Sequence, residues 1–259
     1  MIWKKETHMK KGISQEGLKL VACLTMLIDH IGYEIVYPIL FVSAPALLRP
    51  DGAYRLYLFC RSVGRIAFPI FAFLLVEGIY HTRSRKRYAL RLAVGALLSE
   101  IPFNLVVSGR VFWHQQSIMV TLLLGFGAVI CMEKCRNPAW KPVAAVPFAL
   151  AAEVLMADYG WAGVVLIAMF ALSRDAYGKN LMRFFAMVIL FHYMPSYIFE
   201  IGGFSVPMQV LGSLSMIFIA AYDGRKLTGS KGAQWAFYLF YPVHLLLLWG
   251  IGLAMQNNF

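Results

Sequence analysis

Nine long apolar stretches, each closed by a short polar or basic connection, organise the chain. A window of about 19 residues, the length a helix needs to cross a bilayer, sets their positions. They fall at 17–38, 56–79, 88–107, 116–133, 141–157, 160–174, 181–199, 204–222 and 233–254. The pattern predicts an all-α, polytopic integral membrane bundle of about nine transmembrane helices. It forms a single transmembrane domain over residues 1–259, with 1–15 as a cytoplasmic N-terminal segment. The fifth and sixth stretches flank Asp158 and are short, so they read either as two crossings or as one re-entrant hairpin. The start, MIWKKETHMKKG, is basic and precedes a long stretch that contains Asp29 and His30 and lacks a small-x-small cleavage site. That pattern predicts a retained first span instead of a removed leader.

The charged residues then orient the bundle. Lys4, Lys5, Lys10 and Lys11 precede the first span, and Arg83, Arg85, Lys86, Arg87 and Arg91 surround the second connection. Lys134, Arg136 and Lys141 follow the fourth span, Arg174, Lys179 and Arg183 the sixth, and Arg225, Lys226 and Lys231 the eighth. These groups share one side, while Arg49, Arg55, Arg61 and Arg110 fall on the other and Lys19 and Arg65 lie within spans. Basic loops stay in the cytoplasm, so the N-terminus is expected inside and the C-terminus outside. Composition agrees: 60% of residues are apolar and 14% charged, against about 25% charged in soluble domains. A soluble fold, a coiled coil and a disulfide scaffold are thereby excluded. The net charge of +11 sits in short connections, not on one face, so no nucleic-acid partner is expected. Cys23, Cys60, Cys131 and Cys135 read as small apolar residues, and no histidine stands near enough to complete a metal site.

Ionisable groups inside spans cost about 2.5–3.5 kcal/mol each and need a reason. Asp29, Arg65 and Glu100 all fall about 3 Å to the outer side of the midplane at ~1.5 Å per residue. His30 and His244 lie near the same depth. One reading is a salt bridge of Arg65 with Asp29 or Glu100 that fixes helix packing; the other is a polar reaction chamber open to the outer face. Asn104, His114, Gln115, Glu153, Asp158 and Tyr241 are candidates to extend that chamber towards a substrate, although His114 and Asp158 also suit ordinary interfacial loops. Pro102 should kink the third span. On the inner side Glu77, His81, Arg83, Arg85, Arg87 and Arg91 set topology and also suit a phosphorylated cytosolic donor. No Walker loop and no GxGxxG precedes a helix, so ATP and NAD chemistry have no support.

The stretches LKLVACLTMLIDHIG, GRIAFPIFAFLLVEGIYHTRSRKRYALRL, SEIPFNL, DYGWAG and FYLFYPVHLLLL closely resemble the TraX family, in order from about residue 13 to residue 248. That family is named for the membrane protein that acetylates F-pilin N-termini. FPIFAFLLVEG is also similar, more distantly, to a segment of other transmembrane acyltransferases. The resemblance implies an enzyme of the bacterial inner membrane that moves an acetyl group from cytosolic acetyl-CoA to an envelope acceptor. The acceptor is a pilin-like protein, a glycan or a lipid-linked molecule, and the oligomeric state is open. Depth and chemistry make His30 the expected general base, with His244 its rival. Asp29 points about 100° away from its neighbour, which leaves Glu100 to orient His30 and Arg65 to hold Asp29 or the thioester oxygen. A proton-coupled carrier also needs midplane charges, and a scaffold for pilus or envelope assembly needs only their packing.

Overall fold

A computed structural model describes residues 12–38, 51–175, 178–226 and 231–256. Lys4, Lys5, Lys10, Lys11 and Arg49 lie outside the described residues. Helix α1 (Gln15–Ile31) starts at Ser14, whose Oγ accepts from Gly17 N at 3.1 Å, and continues into one π-helical turn, Gly32–Val36. Helices α2 (Asp51–Gly64) and α3 (Ala67–His81) follow one line with a break at Arg65 and Ile66. Pro69 has no N–H to offer the Arg65 carbonyl, which accounts for the interruption. Helix α4 (Arg85–Ser108) starts at Ser84 and stops at Gly109, whose φ of +67° suits glycine. It remains one helix through Pro102.

Helices α5 (Ile118–Lys134), α6 (Lys141–Val154) and α7 (Gly160–Leu172) pack on one another through a cluster of small side chains, Ala128, Ala145, Ala149, Ala152 and Ala168 among them. Small residues let helix backbones approach where lipid offers no hydrophobic drive. Helix α8 (Lys179–His192) is followed by strands β1 (Ile198–Ile201) and β2 (Phe204–Pro207), a 3-10 segment (Met208–Leu214), α9 (Ser215–Ala220) and α10 (Lys231–Gln256). Helix α3 is the core of the bundle, buried along most of its length against α1, α5 and α7. Helix α4 packs between α5 and α10.

Among the described residues, three segments are long and apolar enough to cross a membrane by length and composition: Gly52–His81, Arg85–Ser108 and Trp235–Met255. Two expected spans are helical over only part of their length. The stretch 181–199 is helical only to His192, and 204–222 opens as a strand and is helical, first 3-10 and then α, only from Met208 to Ala220. The cause is Gly202-Gly203, with φ of +58° and +83°, which turns Ile198–Ile201 back on Phe204–Pro207. Two consecutive positive-φ residues favour a tight hairpin over a helix. Helices α6 and α7, at 14 and 13 residues, are each about 20 Å long, short of a hydrocarbon core of about 30 Å.

The ends of the bundle are tied separately. At one end Ile13 N donates to Ala221 O (2.8 Å) and Asp223 N to Ile13 O (3.1 Å). There, Arg225 bonds Asp223 and holds its carboxyl below the usual carboxylate range. At the other end Gln116 N donates to Met156 O and Asp158 N to Gln116 O, joining the α4–α5 connection to the α6–α7 turn.

Candidate functional site

Asp29 and His30 are neighbours on α1, so their side chains diverge by about 100° and meet different helices. Asp29, only 7% exposed, faces the α2–α3 break. Its Oδ2 accepts from Arg61 Nη1 at 2.7 Å and its Oδ1 from Arg65 Nη2 at 2.8 Å. A buried carboxylate is tolerable only when both oxygens are bonded like this. Gly64 makes the approach possible, because a Cβ there would collide with Asp29 Cβ and Oδ1. Arg65 is held further by Arg61 O (3.1 Å) and by Oε1 of the buried Gln209 (3.3 Å).

His30 faces α10. Its Nδ1 lies 2.6 Å from Nε2 of His244, with the rings stacked at 4.9 Å, and His244 Nδ1 lies 2.7 Å from Phe240 O. A carbonyl only accepts, so His244 carries its proton on Nδ1 and accepts at Nε2. His30 therefore donates from Nδ1, and its Nε2 keeps a lone pair. The α6–α7 turn forms the third wall. Tyr159, at φ +64°, packs on Phe68 with centroids 4.0 Å apart, and the Thr121 hydroxyl donates to Asp158 O. Burial pushes the Asp158 carboxyl above its ordinary value, opposed by the Arg65 guanidinium.

One cavity of about 1060 Å³ joins these walls to the opposite end of the bundle. Its deep end holds Asp29, His30, Arg61, Arg65, Asp158 and Tyr159; its middle is apolar, with Leu74, Leu75, Leu92, Met119 and Leu122. Its mouth is basic, with Lys19, Arg83, Arg87, Arg91 and Lys226. Arg91 Nε is buried there without a hydrogen-bond partner among the described residues, a costly state unless an anion supplies one. Among the described residues no group of His, Cys, Asp and Glu is arranged to hold a metal ion.

The expected site residues divide accordingly. His81, Arg83, Arg87 and Arg91 line the mouth, and Gln115, Asp158 and Tyr241 line the cavity further in. Arg85 does not; it pairs with Glu133 at 2.5 Å. Glu77 stands between His81 (3.7 Å) and Arg174 (3.8 Å). Glu100 is not joined to His30: its Oε1 accepts from Ser117 N (3.1 Å) and Oγ (2.8 Å), closing the start of α5. Asn104 Nδ2 donates to Val111 O, His114 packs on the Trp113 ring, and Glu153 accepts from Trp161 N at the start of α7. Arg61, expected at the outer surface, is instead part of the site. Its spacing of four from Arg65 puts both on one helix face, which is the signal that could have found it.

The order of these features along the chain is that of a known group, since the family model described as TraX protein matches residues 14–252. The chain belongs to the TraX family. It is also similar to a probable fimbrial assembly protein FimC, serogroup H1, of Dichelobacter nodosus, at 30% identity over 257 residues, covering 92% of this chain and 96% of that protein. No solved structure matches. With its long apolar helices, this TraX-family chain is a membrane protein.

Proposed function

We propose that this TraX-family protein is an acetyltransferase of the bacterial inner membrane. It takes the acetyl group from cytosolic acetyl-CoA and passes it to an amine or hydroxyl of an envelope acceptor, a pilin-like N-terminus included. The observation that carries the reading is the single cavity running from the basic mouth to His30. Arg83, Arg87 and Arg91 suit the phosphates of the donor. The apolar middle suits its flexible arm, and the eleven steps of helix from Lys19 to His30 rise about 16 Å. The relative's name, a fimbrial assembly protein, is consistent with an acceptor in the pilus pathway.

At the deep end, His30 Nε2 takes the proton of the acceptor while its nitrogen or oxygen bonds to the acetyl carbonyl carbon. The carbon–sulfur bond then breaks, and that proton goes to the departing thiolate. His244 orients His30 and does not compete with it as base. Arg65, fixed by three hydrogen bonds, presents positive charge to the oxyanion without having to reorganise.

Inside-out membrane vesicles with and without the protein, given acetyl-labelled acetyl-CoA, test the reading. Label is expected in envelope material only where the protein is present, and mass spectrometry then finds the acceptor by its acetyl increment. Equal labelling in both preparations overturns the proposal.

A further inference from the structure

Arg61 and Arg65 form a partition. Behind them, away from the large cavity, lies a second one of about 390 Å³ lined by Pro195, Ser196, Tyr197 and Met208. These residues belong to the approach and exit of the β1–β2 hairpin, which separates the helical parts of two expected spans. Tyr197 is anchored there by its hydroxyl, 3.3 Å from that of Tyr57 on α2. The second cavity is thus a built space whose inner wall is two guanidinium groups.

The two arginines are not equivalent. Arg65 uses Nε, Nη1 and Nη2 on Arg61 O, Gln209 and Asp29. Arg61 makes one hydrogen bond among the described residues, from Nη1 to Asp29, and its plane lies over the Tyr33 ring at 5.3 Å. Among the described residues its Nε and Nη2 have no acceptor, while Asp29 divides its two oxygens between the two arginines. A partly exposed guanidinium with unused donors, set between two cavities, suits a carboxylate or phosphate.

We propose that the second cavity is the acceptor's port, and that Arg61 binds an anionic group carried close to the amine or hydroxyl that is acetylated. The inference rests on the acetyltransferase reading for what happens next, but the port itself is a binding site and is tested by binding. The anion docks on Arg61 from the hairpin side, and the nucleophile beside it passes the partition to reach His30. Donor and acceptor then enter from opposite sides and meet at Asp29–His30.

Purified full-length protein is heated with phosphoethanolamine, with glycine, or with ethanolamine, which has the amine but no anion. Phosphoethanolamine, glycine or both are expected to raise the unfolding midpoint with concentration, and the comparison tells a phosphate from a carboxylate. Ethanolamine is expected to leave it unchanged. The rise is expected to be lost in Arg61→Gln and in Ser196→Trp, which fills the cavity while leaving Arg61 and Asp29 themselves unchanged, and kept in part in Arg61→Lys. A rise that survives both Arg61→Gln and Ser196→Trp places the anion elsewhere and overturns the port. So does the absence of any anion-dependent rise in the wild type. Acetyl-CoA added alone separates the two readings: if it gives no stabilisation while the Arg61-dependent rise is present, the donor assignment fails and the port stands.

Discussion

His30 Nδ1 lies 2.6 Å from His244 Nε2, and the proton between them belongs to His30 because Phe240 O already takes the proton of His244. In the proposed mechanism the pair works as a base and its support. His30→Ala is expected to lower kcat/KM by about 10²–10⁴-fold, the usual contribution of a positioned general base. His244→Gln, which can still accept from His30 Nδ1, is expected to retain more activity than His244→Phe, which cannot. Initial rates with labelled acetyl-CoA check both. Wild-type turnover in His30→Ala removes His30 as the base, and equal loss in the two His244 variants removes the supporting role.

The basic mouth makes a separate prediction. Arg87→Glu and Arg91→Glu are expected to raise KM for acetyl-CoA with little change in kcat, because the proposed docking puts them at the donor's phosphates and away from the reacting atoms. The wild-type KM is expected to rise with salt as exposed charges are screened. Arg85→Gln is expected to leave KM as it is, since that guanidinium faces Glu133. A kcat effect at Arg87 or Arg91 with constant KM contradicts the docking role.

How far the sequence revealed this site depends on what kind of information each residue carries. Burial of Asp29, Arg65 and His30 in apolar stretches was legible because a charge in lipid needs a partner. The divergence of Asp29 and His30 follows from helix geometry alone. Glu100 shared their calculated depth, but depth does not give azimuth: its face of α4 looks to Ser117. Hydropathy makes Arg61 a surface charge, although its spacing from Arg65 places the two together. The hairpin was hidden by hydropathy, since Ile198, Phe199, Ile201 and Phe204 are as apolar as a span. The two glycines between them were the stronger signal.

The contact between Gly64 and Asp29 predicts a steric effect on stability. Gly64→Ala places a methyl group against Asp29 Cβ and Oδ1 and forces apart the helices that the ion pairs hold together. A cost of about 1–3 kcal/mol, typical of overpacking, is expected as a lower unfolding midpoint. Gly52→Ala, on the same helix with nothing within 4 Å of the new methyl, is expected to be neutral or stabilising by up to about 1 kcal/mol. Equal midpoints for the two variants contradict the close approach.

Arg183 carries a prediction about stability alone. It is 3% exposed, its Nε donates to Ser173 Oγ at 2.7 Å, and its Nη2 lies 3.4 Å from Phe170 O at the end of α7. The rings of Phe73 and Phe170 lie 5.8 and 5.4 Å from the guanidinium. Arg183→Met keeps most of the volume and loses the hydrogen bonds, so a cost of about 1–3 kcal/mol is expected. Arg183→Ala also opens a cavity beside two aromatic rings, and the further loss scales with the space left behind. The unfolding midpoint is therefore expected to fall in the order wild type, Arg183→Met, Arg183→Ala, with acetyl transfer per folded molecule unchanged. Arg183 touches neither cavity, so a loss of turnover in the folded Arg183→Met protein would show that the α7 terminus is coupled to the chemistry.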